Sequence, residues 1–414
     1  MIKTILPGTI DGTITAPVSK SYAQRAIAAA LLDDGDTRLF NMGLCDDTAA
    51  ALEVARRLGA RVYYNDRYYI IRGGLYPRAQ VLDIGESGLS TRLFTPIAAL
   101  CSRPLTITGR GSILKRPVEP IEVPLRALGA NITSDNGYLP LSVQGPLRGG
   151  EITIDGSFGS QFLTGLLMAL PRATGDSIIH VDNLKSKPYI DMTIEVAKAF
   201  GVELSHENYE TFHIKGGQTF HAVDYYIEGD WSGASCQLVA GALAGTVTVK
   251  NLKLDSLQAD RVILDALRLA GAKVEITGTD EVTVSKDELK SFSFDAGDCP
   301  DLFPALVALA AKCKGRSVLK GTKRLTHKES DRAATLAEVF STLGIKVDLS
   351  EEDTMIIEGG TIHGGRVSSH NDHRIAMAAA VAGVVAEGPV EIEDPEAVAK
   401  SYPDFWDDLA AIQQ

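Results

Sequence analysis

Two kinds of helical run alternate along the chain, and their spacing predicts a repeat. Runs of the first kind are rich in Ala and Leu, and each is followed by a small-residue break and a strand-like segment. The breaks stand at Gly35, Ser102–Arg103, Gly175, Gly245, Gly315 and Gly388. Because successive breaks are about 70 residues apart, the pattern predicts six copies of one supersecondary unit.

The second kind of run predicts where the other helices end. Five such runs, among them EVARRLGARV and LAEVFSTLGIKV, reach a glycine just before a strand-like segment. Glycine directly after a helix is a C-cap signal because it tolerates positive φ. These glycines are Gly59, Gly129, Gly201, Gly271 and Gly344. Each unit is therefore predicted to run β-α-β-α-β-β.

The last unit is incomplete at the C-terminus, which suggests how the chain closes. The run DFWDDLAAIQQ ends without its strand, and the N-terminal segment MIKTILPGTIDGTITAP could supply it. Six units suggest two similar α/β domains of three units each, hinge-linked by two crossings. We expect residues 1–18 with 229–414 to form one domain and residues 19–228 the other, with the active site in the cleft between them. An ordinary α/β protein with regular loops is the simpler alternative.

Composition excludes several classes of protein. Of 414 residues, 45% are apolar and 23% charged, the balance of a soluble globular protein. The sequence has no apolar run of transmembrane length, and its N-terminus lacks the apolar core of a signal peptide. A net charge of −12 argues against nucleic-acid binding. Five widely spaced cysteines without a CxxC pair argue against disulfides and structural zinc, so we expect a cytoplasmic protein.

Polar clusters such as PVSKS, GESGLSTR, SKPYID and NDHR precede the predicted helices. Their Ser, Asp and Gly residues are ordinary N-caps, yet helix N-termini also bind anions, and the sequence leaves both interpretations open. Capping does not explain the cations, because positive charge near a helix start opposes the helix dipole. Seven cations stand there: Lys20, Arg25, Arg92, Arg116, Arg332, Arg374 and Lys400. In an acidic chain they indicate a strongly anionic ligand.

Two acids, Asp301 and Glu329, stand among these cations. They could order the cations as ion-pair partners or transfer protons, and the sequence favours neither. His370 and His373 are three residues apart, but no further ligand spacing completes a metal site. Nucleotide-binding glycine motifs are absent from the sequence. We therefore expect neither a metal nor an organic cofactor.

In their order along the chain, the clusters resemble the motifs of one known family. PVSKSYAQR, KRPVEP, GSFGSQFLTGLLMALP, SKPYIDMT, EGDWSGAS, KESDR, NDHRIAMA and KSYPDFW are similar to those of the EPSP synthase family (3-phosphoshikimate 1-carboxyvinyltransferase). The resemblance implies two domains of three βαβαββ units each, an inside-out α/β barrel that closes on its substrates. It implies transfer of the enolpyruvyl group of phosphoenolpyruvate to the 5-hydroxyl of shikimate 3-phosphate, giving 5-enolpyruvylshikimate 3-phosphate and phosphate. This reaction belongs to chorismate and aromatic amino acid biosynthesis, and we expect a monomer that needs no cofactor.

The resemblance also implies roles for individual residues. Shikimate 3-phosphate would contact Lys20, Ser21, Arg25, Ser160, Gln161, Ser186, Tyr189, Asp301 and Lys328. Phosphoenolpyruvate would contact Lys20, Gly88, Arg92, Arg116, Gln161, Arg332, Arg374 and Lys400. Asp301 would accept the proton of the 5-hydroxyl, and Glu329 or Lys20 would donate a proton to the methylene carbon.

The chain departs from the family pattern at several of these motifs. The usual Asn-Ala-Gly-Thr reads Glu86-Ser87-Gly88-Leu89, the Pro after the following Arg is Leu93, the first Ser of Ser-Ser-Gln is Gly159, and a common Asn is Arg324. Glyphosate sensitivity and the role of Arg324 stay open at this point.

Two other functions are alternatives. The related UDP-N-acetylglucosamine enolpyruvyl transferase typically carries a reactive cysteine before the pair equivalent to Arg116–Pro117, where this chain reads GRGSILK. A non-catalytic anion-binding repeat protein could use the cations, but it has no need of Asp301 and Glu329. The motifs favour the shikimate enzyme over both.

Overall fold

The chain forms two compact units in the computed structural model, which describes residues 1–414 apart from the side chain of Glu119. The split unit comprises Met1–Ser19 and Glu228–Gln414 and so carries both termini, whereas the continuous unit comprises Lys20–Ile227. These bounds lie within one residue of the predicted ones. The binding of substrates in a cleft between the domains stays a prediction.

Three four-stranded sheets form the continuous unit. After β1 (Ile2–Ile5) and β2 (Ile10–Thr15), which belong to the split unit, the chain forms α1 (Lys20–Leu32), β3 (Asp36–Phe40), α2 (Asp46–Leu58), β4 (Arg61–Tyr64), β5 (Tyr68–Arg72), β6 (Val81–Asp83), α3 (Gly88–Ala98), β7 (Leu105–Thr108), α4 (Glu122–Ala127), β8 (Asn131–Asp135), β9 (Tyr138–Gln144), β10 (Gly150–Asp155), α5 (Gln161–Ala169), β11 (Ser177–Asp182), α6 (Lys187–Ala199), β12 (Leu204–Glu207), β13 (Thr211–Ile214) and β14 (Asp224–Tyr226). The strand orders are β14-β3-β5-β4, β6-β7-β9-β8 and β10-β11-β13-β12. In each sheet the first two strands are parallel and the other neighbours antiparallel. A parallel pair needs a crossover connection, which α5 provides between β10 and β11.

The split unit repeats this arrangement. Its remaining elements are α7 (Trp231–Ala244), β15 (Gly245–Lys250), α8 (Ile263–Leu269), β16 (Lys273–Thr277), β17 (Glu281–Ser285), β18 (Ser293–Asp295), α9 (Phe303–Lys312), β19 (Gly315–Lys320), α10 (Arg332–Thr342), β20 (Lys346–Asp348), β21 (Thr354–Gly359), β22 (Gly365–Ser368), α11 (His373–Val384), β23 (Val390–Glu393) and α12 (Phe405–Ile412). They form the sheets β16-β17-β15-β2, β18-β19-β21-β20 and β1-β23-β22. The N-terminal β1 thus supplies the strand that the C-terminus lacks, as predicted from the repeat.

The strands next to the two crossings stay in the unit that the chain is leaving. β2 directly precedes α1, yet it pairs in parallel with β15. In the same way β14 directly precedes α7, yet it pairs in parallel with β3. The crossing segments also pair with each other, through an antiparallel bridge between Val18 and Gly229 and a 2.9 Å bond from Ser19 N to Glu228 O.

Helices of the first kind form the cores because they are apolar on almost every face. In the split unit α7, α9 and α11 pack against one another, and in the continuous unit α3 packs against both α1 and α5. Helices of the second kind, such as α2 and α6, bury only one side. The five predicted C-cap glycines all have positive φ, between 81° and 133°. The sequence pattern therefore located both the buried helices and the ends of the outer ones.

Two further expectations concern single features of the chain. All five cysteines are buried and none forms a disulfide. No helix in the described part of the chain combines the length and the apolar composition that crossing a bilayer requires.

Candidate active site

Lys20 is held at the start of α1 by Asp47. Its Nζ lies 2.9 Å from Asp47 Oδ2, and the two side chains are only 14% and 10% exposed. Asp47 lies in the first turn of α2, where Thr48 Oγ1 accepts a 2.9 Å bond from Cys45 N. Because solvent screens a pair with so little exposure only weakly, Asp47 holds the ammonium group of Lys20 in place.

Arg25 lies inside the continuous unit and is 1% exposed. Its Nε donates to Thr193 Oγ1 over 2.9 Å, and Nη1 donates to Ser21 O over 2.9 Å. Nη2 donates to Thr164 Oγ1 and to Tyr189 O over 3.3 Å and 3.1 Å. Burial lowers the pKa of Arg25 to about 10, so the guanidinium remains charged at neutral pH. The first residues of α1 and α6 are thereby tied together around one cation.

The N-terminus of α3 brings Gly88, Arg92 and Arg116 together. A Cβ on Gly88 would lie 2.7 Å from Arg116 Nη1, so the guanidinium of Arg116 packs directly against the backbone there. Arg92 donates from Nη1 to Gly88 O and from Nη2 to Pro117 O, each over 3.1 Å. The absence of a side chain at Gly88 is thus what lets a second cation reach this helix N-terminus.

Gln24 holds the N-terminus of α3 in place, a role that no motif in the sequence indicated. Its Nε2 donates to Ser87 Oγ over 2.8 Å and to Ser90 Oγ over 3.0 Å. Ser87 is the N-cap of α3 and accepts from Ser90 N over 3.2 Å. Gln24 lies one residue from Arg25 on α1, so one helix positions two groups of candidate residues.

The other candidates of the continuous unit stand at the starts of α5 and α6. Ser160 and Gln161 are the N-cap and the first residue of α5. Ser186 is the N-cap of α6, has a left-handed φ of 58° and accepts a 3.1 Å bond from Tyr189 N. Gly159 has a φ of 123°, which a residue with a Cβ rarely adopts, so the departure from Ser at this position suits its backbone.

Arg332 is the centre of a buried ion cluster in the split unit, with 1% exposure. Its Nε donates to Asp372 Oδ2 over 2.8 Å, Nη1 to Asp301 Oδ1 over 2.6 Å, and Nη2 to Glu329 Oε2 over 2.5 Å. Burial by itself lowers the pKa of Arg332, but the charges of Asp372, Glu329 and Asp301 outweigh it and raise that pKa above its usual value. The two candidate acids of the sequence are therefore held by one guanidinium.

Lys328 and Arg374 share Asp301 with Arg332. Lys328 Nζ lies 3.2 Å from Asp301 Oδ1, and Arg374 Nη2 lies 3.6 Å from Asp301 Oδ2. Burial lowers the pKa of Lys328 to about 8; the charge of Asp301 opposes this shift, whereas that of Arg332 adds to it. Three cations therefore surround the single carboxylate of Asp301.

Asp372 and Asp260 belong to this cluster but were missed as individual residues. Asp372 is fully buried, caps α11 through a 3.0 Å bond from Arg374 N, and also accepts from Ser330 Oγ over 3.1 Å. Burial and the nearby charge of Asp301 raise the pKa of Asp260 to about 6. An acid at the N-cap of a helix is the signal that could have pointed to Asp372, but such a residue is equally typical of a plain cap.

Two basic residues complete the split unit's candidates. Lys400 is 6% exposed, and its Nζ donates to Asn371 O over 2.6 Å, beside the start of α11. Arg324, where the family commonly has Asn, donates from Nη1 to Gly297 O over 3.1 Å. Its positive charge also contributes to lowering the pKa of Lys328. Arg324 therefore adds a cation near the cluster.

His370 and His373 do not form a metal site among the residues that the structure describes. His370 Nε2 lies 3.1 Å from Glu338 Oε1 on an exposed surface, whereas His373 is buried beside Asp372. No group of three His, Cys, Asp or Glu side chains in the described part of the chain could hold a metal ion.

Comparison with known proteins identifies the family to which these clusters belong. The family described as EPSP synthase (3-phosphoshikimate 1-carboxyvinyltransferase) matches residues 6–409. The chain belongs to the EPSP synthase family. A relative named 3-phosphoshikimate 1-carboxyvinyltransferase from Thermococcus kodakarensis is 41% identical, covering 97% of this chain and 98% of its own. One with the same name from Clostridium botulinum is 36% identical, covering 99% and 96%.

Solved structures extend the likeness to the fold. EPSP synthase from Acinetobacter baumannii has a TM-score of 0.82 and 28% identity, covering 100% of this chain and 98% of its own. The enolpyruvyl transferase NikO from Streptomyces tendae has a TM-score of 0.80 with 18% identity, a likeness of fold alone. The predicted α/β class is confirmed by these matches.

Two residues that depart from the EPSP synthase pattern, Leu89 and Leu93, belong to α3 and have buried side chains. Leu89 is 8% exposed and Leu93 is fully buried, so both pack into the continuous unit. A third, Glu86, anchors the loop before Arg116, because its Oε2 accepts from both the backbone N and the Oγ of Ser112, each over 3.1 Å. The two leucines therefore anchor α3 in the core, and Glu86 supports the loop that leads to Arg116.

Proposed function

We propose that this chain catalyses transfer of the enolpyruvyl group of phosphoenolpyruvate to the 5-hydroxyl of shikimate 3-phosphate, with release of phosphate. Family membership supports this activity. The observation that carries it in the geometry is the sharing of one buried arginine, Arg332, by Asp301 and Glu329. Carboxylates beside these cations compete with any bound anion, so proton transfer accounts for their placement better than anion binding alone does.

Binding of the substrates would change the environment of Asp301. In the cluster its charge is neutralised by Lys328, Arg332 and Arg374 at distances of 2.6–3.6 Å. Phosphate and carboxylate groups would compete for those three cations, because charge-assisted hydrogen bonds to such anions are strong. Asp301 would then be less stabilised as an anion and a better proton acceptor.

We assign the chemical steps as follows. In the addition, the 5-hydroxyl oxygen bonds to C2 of phosphoenolpyruvate, Asp301 accepts the hydroxyl proton, and Glu329 donates a proton to the C3 methylene. In the elimination, Glu329 takes a proton back from C3, the C–H electron pair restores the C2–C3 double bond, the C2–O bond to phosphate breaks, and Asp301 returns its proton to the departing phosphate. Lys20, paired with Asp47, is the alternative proton donor.

The binding roles follow the two clusters. In the continuous unit Ser21, Arg25, Ser160, Gln161, Ser186 and Tyr189 would contact shikimate 3-phosphate, and Gly88, Arg92 and Arg116 would contact phosphoenolpyruvate. In the split unit Lys328 would contact shikimate 3-phosphate, and Arg332, Arg374 and Lys400 would contact phosphoenolpyruvate. Lys20 and Gln161 would contact both substrates. Bringing several negative charges together requires this many cations, since buried anions without partners are strongly disfavoured.

The decisive experiment measures phosphate release from phosphoenolpyruvate with each of two acceptors. Release that depends on shikimate 3-phosphate and not on UDP-N-acetylglucosamine is the expected result. Release with the sugar nucleotide alone would assign the related transferase instead. Release with neither acceptor, from a folded sample, would refute enzymatic transfer and favour a non-catalytic anion-binding protein.

A further inference from the structure

Arg25 is a buried cation surrounded by neutral oxygens. Its hydrogen-bond acceptors in the described part of the chain are two threonine hydroxyls and two backbone carbonyls, with no carboxylate among them. Burying a charge with only neutral partners is unfavourable, and it lowers the pKa of Arg25 to about 10. Such a site gains stability when an anion supplies the missing charge.

The direction of every bond around the two threonines can be deduced. A guanidinium only donates, so Thr193 Oγ1 and Thr164 Oγ1 both accept from Arg25. Thr193 Oγ1 donates its single proton to Tyr189 O over 2.8 Å. The 3.0 Å contact between the two hydroxyls must therefore be a bond from Thr164 to Thr193. This chain of bonds leaves one orientation for the guanidinium.

Counting the hydrogen bonds of Arg25 shows which N–H group of the guanidinium remains for a ligand. Of its five N–H groups, Nε–H and both Nη2 N–H groups are used by Thr193, Thr164 and Tyr189. One Nη1 N–H binds Ser21 O in the preceding turn of α1. The remaining Nη1 N–H has no acceptor among the described residues, and its direction is fixed by the other four.

We propose that Thr193, supported by Thr164, is a positioning residue that aims the last Nη1 N–H of Arg25 at the anionic group of shikimate 3-phosphate. The inference rests on the proposed function, because that function makes Arg25 a substrate contact. Thr193 and Thr164 are both fully buried, so neither contacts the substrate itself. Their effect on catalysis passes through Arg25.

A purely structural role for Thr193 would produce a different pattern of losses. Removing a buried hydroxyl from α6 lowers stability whatever lies beside it, and a loosened unit weakens the binding of both substrates. If Thr193 instead orients the guanidinium of Arg25, loss of that orientation weakens the binding of shikimate 3-phosphate alone. Measuring the binding of each substrate therefore distinguishes a structural role of Thr193 from a positioning role.

The test compares Thr193→Val, which keeps the shape and removes the hydroxyl, with Thr193→Ser, which keeps the hydroxyl. Thr95→Val is the matched control, because Thr95 is also fully buried in a helix of the same unit and donates to Thr91 O over 2.6 Å. For each variant one measures the Kd of shikimate 3-phosphate by calorimetry, the KM of each substrate, kcat and Tm. If Thr193→Val fails to fold, Thr164→Val replaces it.

Thr193→Val should raise the Kd and KM of shikimate 3-phosphate about tenfold, as expected for a lost bond to a charged group. The KM of phosphoenolpyruvate and kcat should stay within about twofold, and Thr193→Ser should restore binding. In an Arg25→Ala background, Thr193→Val should cause no further loss, because the two residues act through one contact. Thr164→Val should give a smaller loss of the same kind, about threefold.

Several outcomes would overturn the proposal. Positioning through Arg25 is excluded if Thr193→Val matches Thr95→Val in every constant, if it weakens the binding of both substrates equally, or if it adds its full loss to that of Arg25→Ala. Absence of turnover in the unaltered enzyme would instead refute the proposed function, and this inference with it. If the unaltered enzyme turns over normally, a failure of this inference is distinguished from a failure of the proposed function.

Discussion

Replacement of Asp372 by Asn tests whether the buried ion cluster holds the split unit together. Asp372 is fully buried, and its two oxygens accept four bonds: from Arg332 Nε and Nη2, Ser330 Oγ and the backbone N of Arg374, at 2.8–3.3 Å. Asparagine has the same shape but carries no charge, and one of its two terminal atoms is a donor. In any rotamer, that amide group points a donor at a donor.

The expected loss of stability depends on the acidic partners that Arg332 retains. Breaking a buried ion pair by removing one partner costs about 3–5 kcal/mol. Arg332 retains Asp301 and Glu329, so the free energy of unfolding should fall by about 3 kcal/mol, at the lower end of that range. Asp331→Asn is the matched control: Asp331 is an exposed N-cap of α10 that accepts from Ala334 N over 3.2 Å. Asn caps as well as Asp, so the control should lose less than about 0.5 kcal/mol.

The appropriate assay is chemical denaturation monitored through tryptophan fluorescence. The chain has 2 tryptophans, Trp231 and Trp406, and both lie in the split unit with Asp372. Their emission therefore reports the unit that the substitution perturbs. A loss below about 1 kcal/mol for Asp372→Asn, or one equal to that of Asp331→Asn, would refute the reasoning that the ion pair stabilises this unit.

Three further predictions concern activity. Asp301→Asn and Glu329→Gln should each lower kcat about 10²–10⁴-fold in the phosphate-release assay, and full activity in both would contradict their roles as acid and base. Gly88→Ala places a Cβ 2.7 Å from Arg116 Nη1 and should raise the KM of phosphoenolpyruvate about tenfold; an unchanged KM would mean that Arg116 does not contact this substrate. Burial lowers the pKa of Lys328 from 10.5 to about 8, so its charge is lost as pH rises through 8 and the KM of shikimate 3-phosphate should increase above that pH. Lys328→Arg should abolish that increase, and a profile identical to that of the unaltered enzyme would exclude Lys328 as its source.

The sequence was sufficient for the repeat and for the ends of the helices. Ala- and Leu-rich runs and glycine C-caps are local signals, because burial on all faces and positive φ each require particular residues at the site itself. The cations near the helix starts were also apparent from the sequence, although Lys20, Arg25, Arg92, Arg332 and Arg374 lie within the helices rather than before them. The pairing of β2 with β15 and of β14 with β3 was not predicted, because nothing local distinguishes these strands from the others that precede a buried helix.

The partners of the candidate residues were decided by packing. Asp372 lies 40 positions from Arg332, and Thr193 lies 168 positions from Arg25, so only the tertiary structure shows that these side chains meet. The sequence left Asp301 and Glu329 open between pairing and proton transfer; in the structure both pair with Arg332, and the proton-transfer roles stay a proposal. The sequence by itself thus determined the residue types, the repeat and the family motifs. The tertiary structure decided which charges are buried together, because that depends on how distant helices pack.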